Sequence, residues 1–124
     1  MPGWPLLSDA QARSQLPDFW PLLVKAIAED GLHTFSEAQV RQGIERGEYS
    51  VVWDGTSVLL FICRPPVCLI PYAAGSLRTL LRWERKLSKF ARLRLCHEIR
   101  LLGRPGWGRV LGYRTLTTIY GKEL

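Results

Sequence analysis

His97 and Glu98 are adjacent titratable side chains where an apolar run, residues 98–102, begins and reads as a strand. An imidazole and a carboxylate at a strand end can take a proton from a substrate amine, directly or through a water molecule. The same pair also suits an ordinary strand end at which the histidine makes one hydrogen bond. Glu84 is a carboxylate among apolar neighbours at helical spacing. Burial there would turn it into a base of raised pKa, unless it pairs with a cation or reaches the surface at an edge. His33 falls in a loop between two helical segments, and Arg104 ends a strand, where it can bind an anion or brace the loop.

Five cations, Arg78, Arg82, Arg85, Lys89 and Arg92, recur at spacings of four, three, four and three, which puts them on one face of a helix. The opposite half of that wheel carries Leu77, Leu80, Leu81, Trp83, Leu87, Phe90 and Ala91. No acid interrupts the basic stripe, so it suits a phosphate backbone or an acidic protein surface as well as plain solvent. Cys63, Cys68 and Cys96 form an odd set without a zinc-binding spacing and read as small buried hydrophobes in a reducing compartment, with no metal. A Walker A loop, a dinucleotide glycine fingerprint and a serine elbow are absent.

The elements that must position these groups follow from periodicity. Residues 1–17 read as an irregular arm, with at most one helical turn after Ser8. Asp18 is placed to cap a first helix on which Trp20, Leu23, Val24 and Ile27 share a face, with Gly31 as its stop. Ser36 and Gln39 form a capping box, and Phe35 and Val40 a hydrophobic staple, for a second helix ending at Gly47. Strands over 49–53 and 57–63 flank Asp54-Gly55, a hairpin-turn signal. Arg64-Pro65-Pro66 turns the chain into a third strand over 67–72. A long helix over 77–93, a strand over 98–102, a short helix near 106–111 and a last strand over 113–120 complete the chain. The segment from 67 to 102 is long enough for a right-handed parallel crossover.

At 124 residues the chain has room for one core. Its formal net charge of +6 is unevenly spread. Residues 1–74 hold five Lys/Arg against eight Asp/Glu, giving −3, and residues 75–124 hold twelve against three, giving +9. The second half is therefore expected to meet an anionic partner: phosphates, nucleic acid or acidic protein. No apolar run is long enough to cross a membrane and no signal-peptide pattern opens the chain, so a cytoplasmic location is expected.

This order of elements resembles the GNAT acetyltransferase superfamily without its usual first strand. The expected fold is α/β: a mixed sheet of about five strands with two N-terminal helices, one long crossover helix and a short C-terminal helix, residues 18–124 making a single domain. The C-terminal pattern Gly103-Arg104-Pro105-Gly106-Trp107, then Gly112-Tyr113-Arg114, then Lys122-Glu123-Leu124, is similar to that of small GNAT-like proteins of tailed bacteriophages and prophages. The resemblance implies an acyl-CoA pyrophosphate site at Ala73-Ala74-Gly75-Ser76, before the long helix, where small residues let a phosphate approach the helix N-terminus. The family's Arg/Gln-x-x-Gly-x-Gly/Ala signature is not present there. Nor is there a tyrosine in 105–111, where many family enzymes carry the acid that protonates the leaving thiolate. The resemblance also sets His97 and Glu98 near the splay of the sheet that admits the acyl group.

Two readings follow. In the first, a phage-encoded GNAT-like domain has lost acyl transfer, needs no cofactor and serves the virion or its assembly through protein contacts. In the second, it is an acetyl-CoA-dependent N-acetyltransferase acting on a small or peptidic amine. Nucleic-acid binding by the basic helix is a further possibility.

Overall fold

The computed structural model describes residues 3–29, 35–102, 114–116 and 119–124. His33, Arg104, Trp107, Tyr113 and the short helix expected near 106–111 lie outside the described residues.

The first helix, α1, spans Asp9–Ala28 and so begins nine residues before the expected cap at Asp18. Ser8 is the true cap: its hydroxyl accepts from the Gln11 amide at 3.2 Å and the Gln11 side chain accepts from the Ser8 amide at 2.9 Å. The buried residues Ala12, Leu16, Phe19, Leu23 and Ile27 recur every three or four positions, which defines the packing face. Helix α2, Glu37–Glu45, carries the expected reciprocal capping box of Ser36 and Gln39.

Strands β1 (Ser50–Trp53), β2 (Val58–Arg64), β3 (Val67–Ile70) and β4 (Ala73–Ala74) follow, and then helix α3 (Leu77–Leu93). Strands β5 (Glu98–Leu102), β6 (Arg114–Leu116) and β7 (Ile119–Glu123) complete the sheet. The last strand expected over 113–120 is thus two short antiparallel strands, with Leu116 opposite Ile119. The main order is β1-β2-β3-β5-β7-β6, with β4 paired to β2. Among the described strands only β3 and β5 are parallel, joined by α3 as their crossover.

Alternation along the strands sorts side chains between two cores. Val51, Val58 and Leu60 pack with α1 and α2, while Val52, Leu59, Phe61, Ile99 and Leu101 pack with α3. The sheet is therefore the middle of three layers. The N-terminal segment lies on the edge of β1: Leu6 makes a single antiparallel bridge to Val52, and Trp53 donates to the Pro5 carbonyl at 3.1 Å.

Candidate functional site

The turn ahead of α3 is built by a register shift. Ile62 pairs with Leu69, and Leu59 with Ala73, so Leu60 and Phe61 face three residues, Ile70, Pro71 and Tyr72. That extra residue is a β-bulge, which bends the strand. Beyond it Ala73 and Ala74 stay with β2, whereas β5 continues beside β7. The parallel pairing ends at Ile70 opposite Leu101, and the sheet opens from there.

Ser57 occupies the inside of this turn. It is fully buried, and its hydroxyl accepts the Ser76 amide at 3.0 Å. Gly75 has φ of 122°, and a Cβ on it would overlap the Ser57 backbone and side chain. Ser57 is itself fixed by the β1–β2 turn, where Asp54 Oδ1 accepts from its amide at 2.8 Å and from the Thr56 amide at 2.9 Å. Partial burial opposes ionisation of Asp54, but these hydrogen bonds win and hold its carboxyl below the ordinary value.

A pyrophosphate is held at a helix N-terminus by a run of successive free amides. Here Ala73 and Ala74 are strand residues, Ser76 N–H is bonded to Ser57, and Thr79 N–H approaches the Ser76 hydroxyl at 3.5 Å. Among the described residues, the Gly75, Leu77 and Arg78 amides are the ones at this helix end without a hydrogen bond. With the Ser76 amide taken by Ser57, the turn offers an interrupted set of amides and not a continuous run.

His97 and Glu98 stand at the other end of the parallel pair. Glu98 is in register with Val67, and the His97 amide donates to the Pro66 carbonyl at 2.7 Å. The sheet opens three residues further on, about 10 Å at ~3.3 Å per residue. This corrects the expectation that they flank the splay: they sit where β3 and β5 are firmly paired. Glu98 is engaged by Arg100 Nε at 3.0 Å, and His97 is exposed. The candidate base and the candidate cofactor turn are not brought together.

Glu84 is buried and paired. Lys122 Nζ on β7 lies 2.9 Å from its Oε1, and Ser88 Oγ donates to the same oxygen at 3.1 Å. The cation comes from the sheet, which helical periodicity alone could not indicate.

Arg78, Arg82, Arg85, Lys89 and Arg92 are all exposed on α3. Arg82, Arg85, Lys86 and Lys89 wall a groove of about 410 Å³, with Trp4 and Phe90 as its floor. Trp4 reaches α3 from the N-terminal segment, stacking on Phe61 at 5.8 Å and meeting Phe90 at 6.2 Å. Leu77, placed on the apolar half of the wheel, is 41% exposed. Leu93, which also lines the groove, and Leu95 are 82% and 72% exposed, the most exposed large apolar residues described. Leu95 also has φ of 65°, a left-handed conformation that usually falls to glycine.

Sequence reading missed Ser57 and Trp4, since neither contact is local. A serine at the start of a strand and a tryptophan in a proline-punctuated arm carry no periodic signal. It also treated the cysteines separately, although Cys63 and Cys68 are opposite one another on β2 and β3. Among the described residues no group of His, Cys, Asp and Glu is arranged to hold a metal ion, and no helix is long and apolar enough to cross a membrane.

Solved structures match this arrangement over most of the chain. A GNAT-family acetyltransferase from Listeria monocytogenes 4b F2365 superposes with a TM-score of 0.62 at 13% identity, covering 95% of this chain and 92% of its own. The fold is that of the GNAT acetyltransferases. A putative acetyltransferase from Staphylococcus aureus Mu50 gives 0.60 at 14% identity, over 89% of this chain and 93% of its own. A GNAT-family acetyltransferase from Brucella melitensis, solved with acetyl-CoA, gives 0.60 at 10% identity over 90% and 82%. No protein-family model matches the chain, and no curated protein matches it by sequence. Likeness at these identities establishes the GNAT fold alone.

Proposed function

We propose that this chain uses the GNAT fold to make protein contacts instead of transferring acyl groups, and that α3 presents its docking face. The observation that carries the reading is Ser57 inside the turn before α3, which takes the Ser76 amide and the space beside Gly75. The docking face combines Arg78, Arg82, Arg85, Lys89 and Arg92 with the apolar floor of the groove and the exposed Leu93 and Leu95. Cations next to exposed leucines favour an acidic protein surface with apolar contacts of its own over a nucleic-acid backbone. A component of a tailed-phage particle is the partner suggested by the C-terminal pattern around Trp107 and Tyr113.

The second reading is acetyl-CoA-dependent N-acetylation of a small or peptidic amine. It is favoured by the acetyl-CoA complex of the Brucella protein and by the Leu77 and Arg78 amides, which sit at a helix end with no acid in its first turn. In that reading Glu98 or His97 accepts the amine proton.

The thermal midpoint, measured with and without millimolar acetyl-CoA or free CoA, separates the two. A ligand at a hundred times its dissociation constant stabilises by about 2.7 kcal/mol, several degrees for a domain of this size. The contact reading expects no shift. A saturable rise with either ligand overturns it and makes the chain an acyl-CoA binder.

A further inference from the structure

The three cysteines gather at one end of the sheet, away from the turn before α3. Cys63 on β2 and Cys68 on β3 are direct cross-strand partners, and their sulfurs stand 3.2 Å apart as free thiols. Directly opposed residues of an antiparallel pair have Cα atoms about 4.5–5.5 Å apart, inside the range a disulfide spans. Cys96, just after α3, lies close enough to influence the Cys63 thiol, and its own thiol points to the Arg94 carbonyl at 4.0 Å. Cys68 and Cys96 are buried, whereas Cys63 is half-buried and open to a small reagent.

We infer that Cys63 and Cys68 are an oxidisable pair, which a peroxide closes into a cross-strand disulfide with Cys63 as the attacking sulfur. The Cys63 thiolate attacks one peroxide oxygen, the O–O bond breaks, and the leaving hydroxide takes up the thiol's proton as water. Cys68 sulfur then attacks the Cys63 sulfenic acid. The S–S bond forms, the S–O bond breaks, and hydroxide leaves as water with the Cys68 proton. Two thiols are oxidised by two electrons in all, and one peroxide becomes two waters.

The surroundings suit these roles. Hydrogen bonding from Cys68, opposed by burial, then reinforced by Cys96 and the Arg94 charge, brings the Cys63 thiol down to about 7. The bond to Cys63 and burial push the Cys68 thiol far upward, and burial with the adjacent Cys63 raises Cys96 to about 11. One sulfur of the three is therefore a thiolate near neutral pH, and it is the accessible one.

The test is peptide mapping of the folded protein after dilute hydrogen peroxide, with free thiols blocked before digestion. Trypsin does not cut Arg64–Pro65, so Cys63 and Cys68 share the peptide 47–78, and Cys96 lies on 95–100. The expected product is peptide 47–78 lighter by two hydrogens and free of the blocking group, restored by dithiothreitol, with Cys96 still blocked as a free thiol. Cys96→Ser should give the same product. The rate should rise with pH to a half-maximum near 7. Joined 47–78 and 95–100 peptides, or three intact thiols after treatment, would overturn the inference. So would oxidation no faster than in the urea-unfolded chain.

Discussion

Leu95 closes α3 in a way that glycine would do better. Its amide donates to the Arg92 carbonyl at 3.0 Å and the Cys96 amide to Ala91 at 2.9 Å, the paired bonds of a Schellman motif. The central residue of that motif is left-handed, which costs a side-chain-bearing residue about 1–2 kcal/mol. At 72% exposure the Leu95 side chain recovers little of this by burial. Replacing Leu95 with glycine should therefore raise stability by about 1 kcal/mol in urea melts. If Leu95 belongs to a docking face, the same variant weakens partner binding while the fold gains. A variant less stable than the parent would show that Leu95 packs against something in the free protein. Glu84 shows the opposite economy, a buried carboxylate matched by Lys122 and Ser88, and so a structural group.

Helix α1 shows how an element can be misread from good rules. Ser8 and Gln11 carry the same Ser-x-x-Gln signature as Ser36 and Gln39, but the sequence reading takes only the second as a capping box. The prolines and glycines that punctuate residues 1–17 point to an arm, because an interior proline removes a helical hydrogen bond and breaks most helices, yet Pro17 and Pro21 both lie inside α1. Here both are exposed, one turn apart, on the side opposite Leu16 and Leu23, so the carbonyls they leave unpaired are on the solvent side. Burial of five side chains on the other face outweighs the interruption. Ser8→Ala should cost about 1 kcal/mol, with helical circular dichroism falling as the first turn frays. A neutral result would mean that edge pairing of Leu6 and Leu7 with β1 holds the helix start unaided. The hairpin at Asp54-Gly55, the crossover and the α2 cap were legible because each is set by neighbours in sequence. The bulge at Pro71, Ser57 under Gly75 and the cysteine cluster were not, since each depends on which strand lies beside which.

Across the whole molecule, charge and fold divide the chain in the same place. The half with net −3 supplies α1, α2 and strands β1 to β4, and the half with net +9 supplies α3 and strands β5 to β7. The α3 cations lie on the outer side of the layer that α3 forms, so they take no part in either core. Reversing Arg82 and Lys89 to glutamate should leave stability within about 0.5 kcal/mol per site, as for other exposed positions. Each reversal removes two charges, taking the net from +6 to +2. A partner held by this face should then be lost from co-purification, while the cysteine chemistry and the melting profile stay as they were. Salt discriminates the kind of partner. A protein complex with apolar contacts at Phe90, Leu93 and Leu95 should retain part of its affinity as screening shortens to about 8 Å at physiological ionic strength. Binding that instead falls steeply and linearly on logarithmic axes would be counterion release from a nucleic acid. Retention of a partner by the double reversal would move the docking face off α3 altogether.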